Sequence, residues 1–215
     1  LDSPEKVNGQ AKFGIDVRLP NMLVATVAAC PVPGGKLQAA DEAKAMAVKG
    51  VRHVLKLDNA VAVVGDHMWA AKQGLAALDP TWSDGPNAAM TTATIVADMK
   101  TASNTAGVVA RNDGDANKEA PKGGQRLEAV YEMPFLAHAT MEPMNCTVDL
   151  RADGCDLWLG TQVPALAQGA AAKLTGLTND QVKVHNHFIG GGFGRGVGGE
   201  APRVNAPEPS AAWVE

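Results

Sequence analysis

No run of lysine or arginine, no Cys-x-x-Cys pair, and no apolar stretch near the roughly 20 residues that a membrane-crossing helix needs occurs in these 215 residues. The first absence, with a formal net charge of -4 and a pI near 5.7, leaves no phosphate-tracking groove and excludes nucleic acid as an expected partner. The second, with three cysteines (Cys30, Cys146, Cys155), argues against a disulfide framework, a zinc knuckle or an iron-sulfur site; idle thiols are expected. The third leaves no membrane span. The start Leu1-Asp2-Ser3-Pro4 has no basic or apolar leader and no initiator methionine, so an upstream part, removed or left out, is expected.

What is present is an ordinary globular composition, 46% hydrophobic and 20% charged, long enough for one substantial core or two small ones. The pattern predicts a strand over Ala11–Val17, a turn at Leu19–Met22 and a strand from Leu23, broken by Pro31-Val32-Pro33-Gly34-Gly35. A helix over Asp41–Val48 with Asp41 as N-cap follows, then strands over Val51–Leu57 and Ala60–Val64 divided by Asp58-Asn59, and a helix within Asp66–Leu78. This first α/β unit closes near Trp82-Ser83-Asp84-Gly85. Residues 86–124 read as a linker with a weak helical patch at Thr94–Lys100.

Strand signals return at Leu127–Tyr131, Cys146–Leu150 and Cys155–Gly160, with Asp153-Gly154 as a hairpin turn. A helix over Pro164–Leu174, a turn at Thr175-Gly176-Leu177 and a strand over Val182–Ile189 lead into Gly190-Gly191-Gly192-Phe193-Gly194-Arg195. Beyond Gly194 no element is predicted. His185 and His187 share one strand face without a local carboxylate or cysteine, and are expected to be structural.

The chemistry-bearing features lie in this second region. Glycines permit positive φ and close approach, so the loop can aim several N–H groups at an anion. Gly194, Gly196 and Gly199 satisfy GxGxxG, but the helix and acidic residue of a dinucleotide site have no room to follow, and no Gly-Lys-Ser/Thr supports a P-loop. The Glu142-Pro143 turn reads better as a structural hydrogen-bond acceptor than as a catalyst. Alone, the loop is equally compatible with a ligandless turn.

Glu128-Ala129-Val130-Tyr131-Glu132-Met133-Pro134, His138-Ala139-Thr140-Met141-Glu142-Pro143-Met144-Asn145-Cys146-Thr147, Trp158-Leu159-Gly160-Thr161-Gln162, the Gly176-Leu177 turn and Gly190 to Arg195 stand in the order and at about the spacings of one family. Together they resemble the xanthine oxidase-type molybdenum hydroxylases, in the isoquinoline 1-oxidoreductase beta-subunit branch with its related aldehyde dehydrogenases. Lys6-Val7-Asn8-Gly9, Phe13-Gly14-Ile15-Asp16-Val17, Lys49-Gly50-Val51, Val61-Ala62-Val63-Val64 and Trp69-Ala70-Ala71 resemble the α/β hammerhead domain that precedes the cofactor region there. The resemblance covers residues 2 to 195.

It implies an α/β (α+β) fold: a hammerhead domain at 1–85, a linker at 86–124, and at 125–215 the first part of a molybdopterin-binding domain. It implies molybdopterin, the cytosine dinucleotide form included, as cofactor. Gln162 would hydrogen-bond an oxo ligand of molybdenum, and Gly191, Gly192, Phe193, Gly194 and Arg195 would approach the pterin or the metal's oxygens. The implied reaction is hydroxylation of an N-heterocycle or an aldehyde with oxygen from water, electrons leaving to an iron-sulfur or cytochrome subunit, and the implied location is the periplasm, otherwise the cytoplasm.

The pattern stops after Arg195. The family's catalytic base lies in a Gly-x-Gly-Glu loop far downstream; Val197–Ala206 resembles that loop weakly, with Glu200 in the base's place and Gly199 spoiling the spacing. Two readings stay open: a portion of an enzyme whose remaining half is supplied elsewhere or omitted, and a truncated, non-catalytic α/β protein that keeps the fold and binds no cofactor.

Overall fold

A computed structural model describes residues 3–111, 113–114, 124–125, 127–135 and 139–193. Two compact units result, Leu1–Ala88 with His138–Glu215, and Ala89–Ala137.

In the first unit a short helix, α1 (Ser3–Val7), precedes a single 3-10 turn at Gly14–Asp16. The strand predicted over Ala11–Val17 is therefore corrected. Asp16 Oδ2 accepts from the Phe13 N–H at 3.0 Å, and this local bond diverts the backbone from a strand ladder. Only a parallel bridge from Phe13 to Phe188 remains of the extended pattern.

Strands β1 (Val24–Ala29), β3 (Val51–Lys56) and β4 (Ala60–Gly65) form an antiparallel sheet in the order β1-β4-β3. The central strand β4 is buried at five of six positions, which its unbroken Ala/Val run allows. Helix α2 (Glu42–Met46) starts where Asp41 accepts from the Lys44 N–H at 3.1 Å, as the N-cap reading expects. Helix α3 (Met68–Leu78) is capped by His67 Nδ1, which accepts from the Ala70 N–H at 3.1 Å. Ala45, Val51, Val61, Val63 and Leu78 form the first core. A two-stranded ribbon of β2 (Lys36–Ala39) and β5 (Thr81–Ser83) adjoins it. β2 carries no apolar alternation, and only its partner reveals it.

The same unit holds a second sheet, β6-β7-β8, from β6 (Thr147–Arg151), β7 (Gly154–Leu159) and β8 (Val182–Asn186). β6 pairs antiparallel with β7 through a two-residue connection at Ala152 and Asp153, one residue earlier than the Asp153-Gly154 pair. β7 pairs parallel with β8 across the crossover helix α5 (Pro164–Thr175), which ends at Gly176 with φ 74°. Cys155, Leu157, Ala171, Ala172 and Val182 make the second core. The alanines at consecutive positions of α5 let it lie close on the sheet.

The partly buried Cys146 thiol is pushed up to about 11, first by burial and then by Cys155. Between the ordinary thiol value of 9.0 and about 11, the unfolded state has lost this proton while the folded state keeps it. Stability is therefore full below the lower value and falls as pH rises through the window, by on the order of 2–3 kcal/mol. Comparing urea midpoints at the two ends of the window, the fall is expected to shrink in Cys146→Ala.

In the second unit, α4 (Thr92–Ala102) begins at a capping box in which Thr91 and Thr94 exchange bonds, and it buries no residue. It is the helical patch predicted at Thr94–Lys100. The strand predicted at Leu127–Tyr131 is corrected: no strand forms there, and Leu127, Val130 and Tyr131 are each more than four-fifths exposed. A strand needs a neighbour to take its backbone bonds. None is present among the described residues.

Candidate functional site

The β6-β7-β8 topology decides which sequence landmarks meet. β7 and β8 run parallel, so the segments after their C-terminal ends, Gly160–Gln162 and His187–Phe193, leave from one edge of the sheet; antiparallel β6 is entered from that edge through Met141–Cys146. The carboxyl edge of parallel strands is where open α/β sheets place ligands.

Around this edge Glu142 is the most connected side chain. Its Oε1 accepts from the Ile15 N–H at 3.2 Å and from Asn145 Nδ2 at 3.0 Å, and its Oε2 accepts from the Gly190 N–H at 2.7 Å. Its own N–H donates to Gly190 O at 3.2 Å, and its carbonyl accepts from Thr140 Oγ1 at 2.6 Å. A carboxylate so occupied is an acceptor of structural bonds, as the Glu142-Pro143 turn suggested.

Asn145 Nδ2 also donates to Pro143 O at 2.8 Å, which fixes the amide orientation and leaves Oδ1 buried without a partner among the described residues. A Cβ on Gly14 would stand 2.6 Å from that oxygen, so the N-terminal turn approaches this closely only as glycine. Phe13 and Phe188 pack with ring centroids 6.2 Å apart, and Lys6 Nζ lies 4.8 Å over the Phe188 ring. Residues that the sequence separates by more than a hundred positions thus share one corner.

On β7's exit, Asn186 forms a two-way bond with the Thr161 backbone, Oδ1 accepting from the Thr161 N–H and Nδ2 donating to Thr161 O, both at 3.0 Å. Thr161 Oγ1 then accepts from the Val163 N–H at 3.1 Å, just ahead of α5. This fixes the backbone on either side of Gln162. The Gln162 side chain is exposed, with no hydrogen-bond partner among the described residues. Sequence reasoning missed Asn186 altogether; its one signal was a polar amide within the predicted strand Val182–Ile189, which the structure ends at Asn186. Asn186→Asp is expected to turn a donor to Thr161 O into a repelling oxygen and to cost about 1–3 kcal/mol, read as faster hydrogen exchange at the Thr161 amide than in the wild type.

In the loop, Gly191 has φ 110° and Phe193 has φ 49°, with Gly192 between them. Phe193, 72% exposed, holds a left-handed conformation that side-chain-bearing residues rarely adopt, and such strain clusters at ligand sites. The N–H groups of Gly191, Gly192 and Phe193 donate to no backbone acceptor among the described residues. The Gly194, Arg195 and Glu200 assignments lie outside the described residues. So does the GxGxxG match.

Two other clusters do not belong to this edge's loops. On one sheet face His185 Nε2 lies 2.6 Å from Asp156 Oδ1, its ring stacked on Trp158 with centroids 4.8 Å apart, and Arg151 bridges Asp156 and Asp149. His185 and Arg151 together hold the Asp156 carboxyl below its usual range. This supplies the carboxylate partner that the local sequence around His185 lacks. A shallow hollow of about 420 Å³ lined by Asn21, Met22, Leu23, Arg52, His53 and Asp66 contains the two-bonded Arg52–Asp66 pair and no residue of the edge.

The fold is shared with part of a larger oxidoreductase of known structure. It superposes on quinoline 2-oxidoreductase from Pseudomonas putida 86 with a TM-score of 0.64 over 91% of this chain and 30% of that one, at 16% identity. Residues 87–201 match the molybdopterin cofactor-binding domain family. The chain belongs to that family, in the xanthine oxidase-type group that the landmark motifs suggested. It is 35% identical over 210 residues to isoquinoline 1-oxidoreductase subunit beta of Brevundimonas diminuta, and 25% identical over 210 residues to the membrane-bound aldehyde dehydrogenase [pyrroloquinoline-quinone] of Gluconacetobacter polyoxogenes. Those alignments take in 90% and 93% of this chain and 26% and 27% of the relatives. The chain therefore spans about a quarter of the length of the curated relatives it matches.

The residues present fit part of such a cofactor's surroundings. The backbone N–H groups of Gly191 to Phe193 and the Gln162 amide, none of them bonded among the described residues, are hydrogen-bond donors of the kind that a pyranopterin takes up. No carboxylate free to act as a base stands among the described residues of this edge.

Proposed function

We propose that this chain forms the amino-terminal quarter of a molybdopterin-dependent oxidoreductase that hydroxylates N-heterocycles or oxidises aldehydes, taking the new oxygen from water. The observation that carries the reading is the meeting, at one sheet edge, of a glutamine amide and a glycine loop whose N–H groups have no hydrogen-bond partner among the described residues, with positive φ angles at Gly191 and Phe193. When bound, the cofactor supplies the two-electron redox step. This chain's part is to hold it: Gln162 donates to an oxygen ligand, and Gly191 to Phe193 present backbone donors, preorganised so that little reorganisation accompanies reaction.

The general base, the rest of the cofactor's enclosure and the substrate pocket come from the remaining three quarters of the protein. Electrons leave to an iron-sulfur or cytochrome subunit. The cytosine dinucleotide form of the cofactor and a periplasmic location complete the proposal, both suggested by the branch the chain resembles. The N-heterocycle and aldehyde classes follow the names of the isoquinoline and aldehyde relatives.

The test is Gln162→Ala in the complete enzyme. Losing one preorganised donor is expected to lower turnover by about 10²–10³-fold while the melting midpoint stays at the wild-type value, since this exposed side chain bonds to none of the described residues. Unchanged turnover would remove Gln162 from the site. A wild-type protein made in a cofactor-competent host that carries neither molybdenum nor pterin would favour the non-catalytic alternative.

A further inference from the structure

We propose that Glu142 is the positioning residue for the cofactor loop. Its carboxylate sets where Gly191 to Phe193 stand and ties that position to the N-terminal turn at Gly14–Asp16. The proposal rests on the reading of the loop as a molybdopterin-contacting segment.

Three donors converge on two oxygens: the Ile15 N–H and Asn145 Nδ2 on Oε1, the Gly190 N–H on Oε2. Bonds from N–H to an ionised carboxylate are shorter and stronger than neutral ones, and the Gly190 bond, at 2.7 Å, is the shortest of the three. The main chain adds a return bond from the Glu142 N–H to Gly190 O. Gly190 is thus gripped through both its donor and its acceptor immediately before the backbone turns to φ 110° at Gly191.

The grip is close as well as polar. A Cβ on Gly190 would lie 2.2 Å from Glu142 Cβ, so the loop's first residue rests against the stem of the carboxylate. Glu142 is itself held from the other side by Thr140 Oγ1 and through Asn145 and Pro143. None of the loop's next three N–H groups is fixed by a backbone acceptor among the described residues. Their aim is inherited from Gly190.

An acceptor at both oxygens is what the site needs, and an amide cannot supply it. In Glu142→Gln one terminal group becomes NH₂. If it replaces Oε2 it faces the Gly190 N–H; if it replaces Oε1 it faces the Ile15 N–H and the Asn145 amide. Either orientation sets donor against donor. Glu142→Asp keeps the charge but draws the carboxylate back by one methylene, too far to serve Ile15 and Gly190 together.

Both variants are to be made in the complete enzyme, produced in a host that makes the cofactor. Amide hydrogen exchange is followed on peptides over Gly190–Phe193 and over β6, β7 and β8, and molybdenum and pterin are counted per polypeptide. The expected result is exchange about tenfold faster at Gly190, the loop amide that Glu142 bonds, with the sheet unchanged, and cofactor content reduced severalfold in both variants. Wild-type exchange and content in both would overturn the proposal. So would a sheet that loosens as much as the loop, because the carboxylate would then be holding the fold. If wild-type enzyme carries no molybdopterin, the functional reading falls, and the exchange data still decide whether Glu142 holds the loop.

Discussion

Gly190→Ala is expected to strip the protein of most of its cofactor. A methyl group there cannot be absorbed by a rotamer change, because it would sit 2.2 Å from Glu142 Cβ and 3.0 Å from Glu142 Oε2. Either Glu142 withdraws, releasing the Ile15 N–H and the Gly190 N–H, or the loop lifts away from the sheet edge. Overpacking of this kind costs about 1–3 kcal/mol, and here the strain falls on the segment whose N–H groups are proposed to meet the cofactor. Molybdenum per polypeptide in the purified enzyme measures it. Gly169→Ala, where an added Cβ meets nothing within 4 Å, is the matched control and should keep wild-type content. Equal content in the two would show that the contact at Gly190 yields without consequence.

The second large effect is expected at Leu157→Ala. Leu157 is 2% exposed and packs with Cys155, Ala171, Ala172 and Val182 between the sheet and α5. The buried neighbours, two alanines, a cysteine and a valine, are too small to expand into the space left behind. A buried leucine truncated in this way costs about 2–5 kcal/mol. In a large multidomain protein a single melting midpoint does not isolate that loss. Exchange at the amides of β7 and α5 does, and it should quicken by at least about thirtyfold, the equivalent of roughly 2 kcal/mol. Protection unchanged from wild type would mean that α5 is held by something other than this core.

The two substitutions act on different levels of the same site. Leu157 holds the sheet from which the exits of β7 and β8 spring, whereas Gly190 and Glu142 determine where one of those exits goes. Loss of the first should loosen the sheet edge and the cofactor together. Loss of the second should leave the sheet intact.

Much of the fold was legible along the chain. The Val and Ala runs of β3 and β4, the Asp41 cap, the α3 and α5 helices and the Gly176 stop rest on local preferences that tertiary contacts did not override. The failures have local causes too. Ala11–Val17 alternates like a strand, yet Asp16 takes the Phe13 N–H, Glu142 takes the Ile15 N–H, and the Asp16 and Val17 N–H groups close the turn on Phe13 O and Gly14 O, so its backbone donors go to side chains and local carbonyls. Leu127–Tyr131 has strand composition, yet no strand pairs with it among the described residues. β2 has a partner without strand composition.

By itself the sequence determined the family. Met-Glu-Pro-Met-Asn, Thr-Gln and the glycine loop carry that identity in their order and spacing, whatever their positions in space. It also determined that Glu142 was better read as an acceptor than as a catalyst, since a Glu-Pro turn is a local feature. Only the tertiary structure decided what Glu142 accepts from. The Ile15 N–H lies 127 positions away and the Gly190 N–H 48, and no periodicity encodes a hydrogen bond across such distances. The same holds for Asn186 and Thr161, and for Gly14 against Asn145. These contacts exist because the β6-β7-β8 pairing brings one strand entry and two strand exits to a single edge, where a carboxylate and an amide satisfy backbone groups that the sheet itself leaves unpaired.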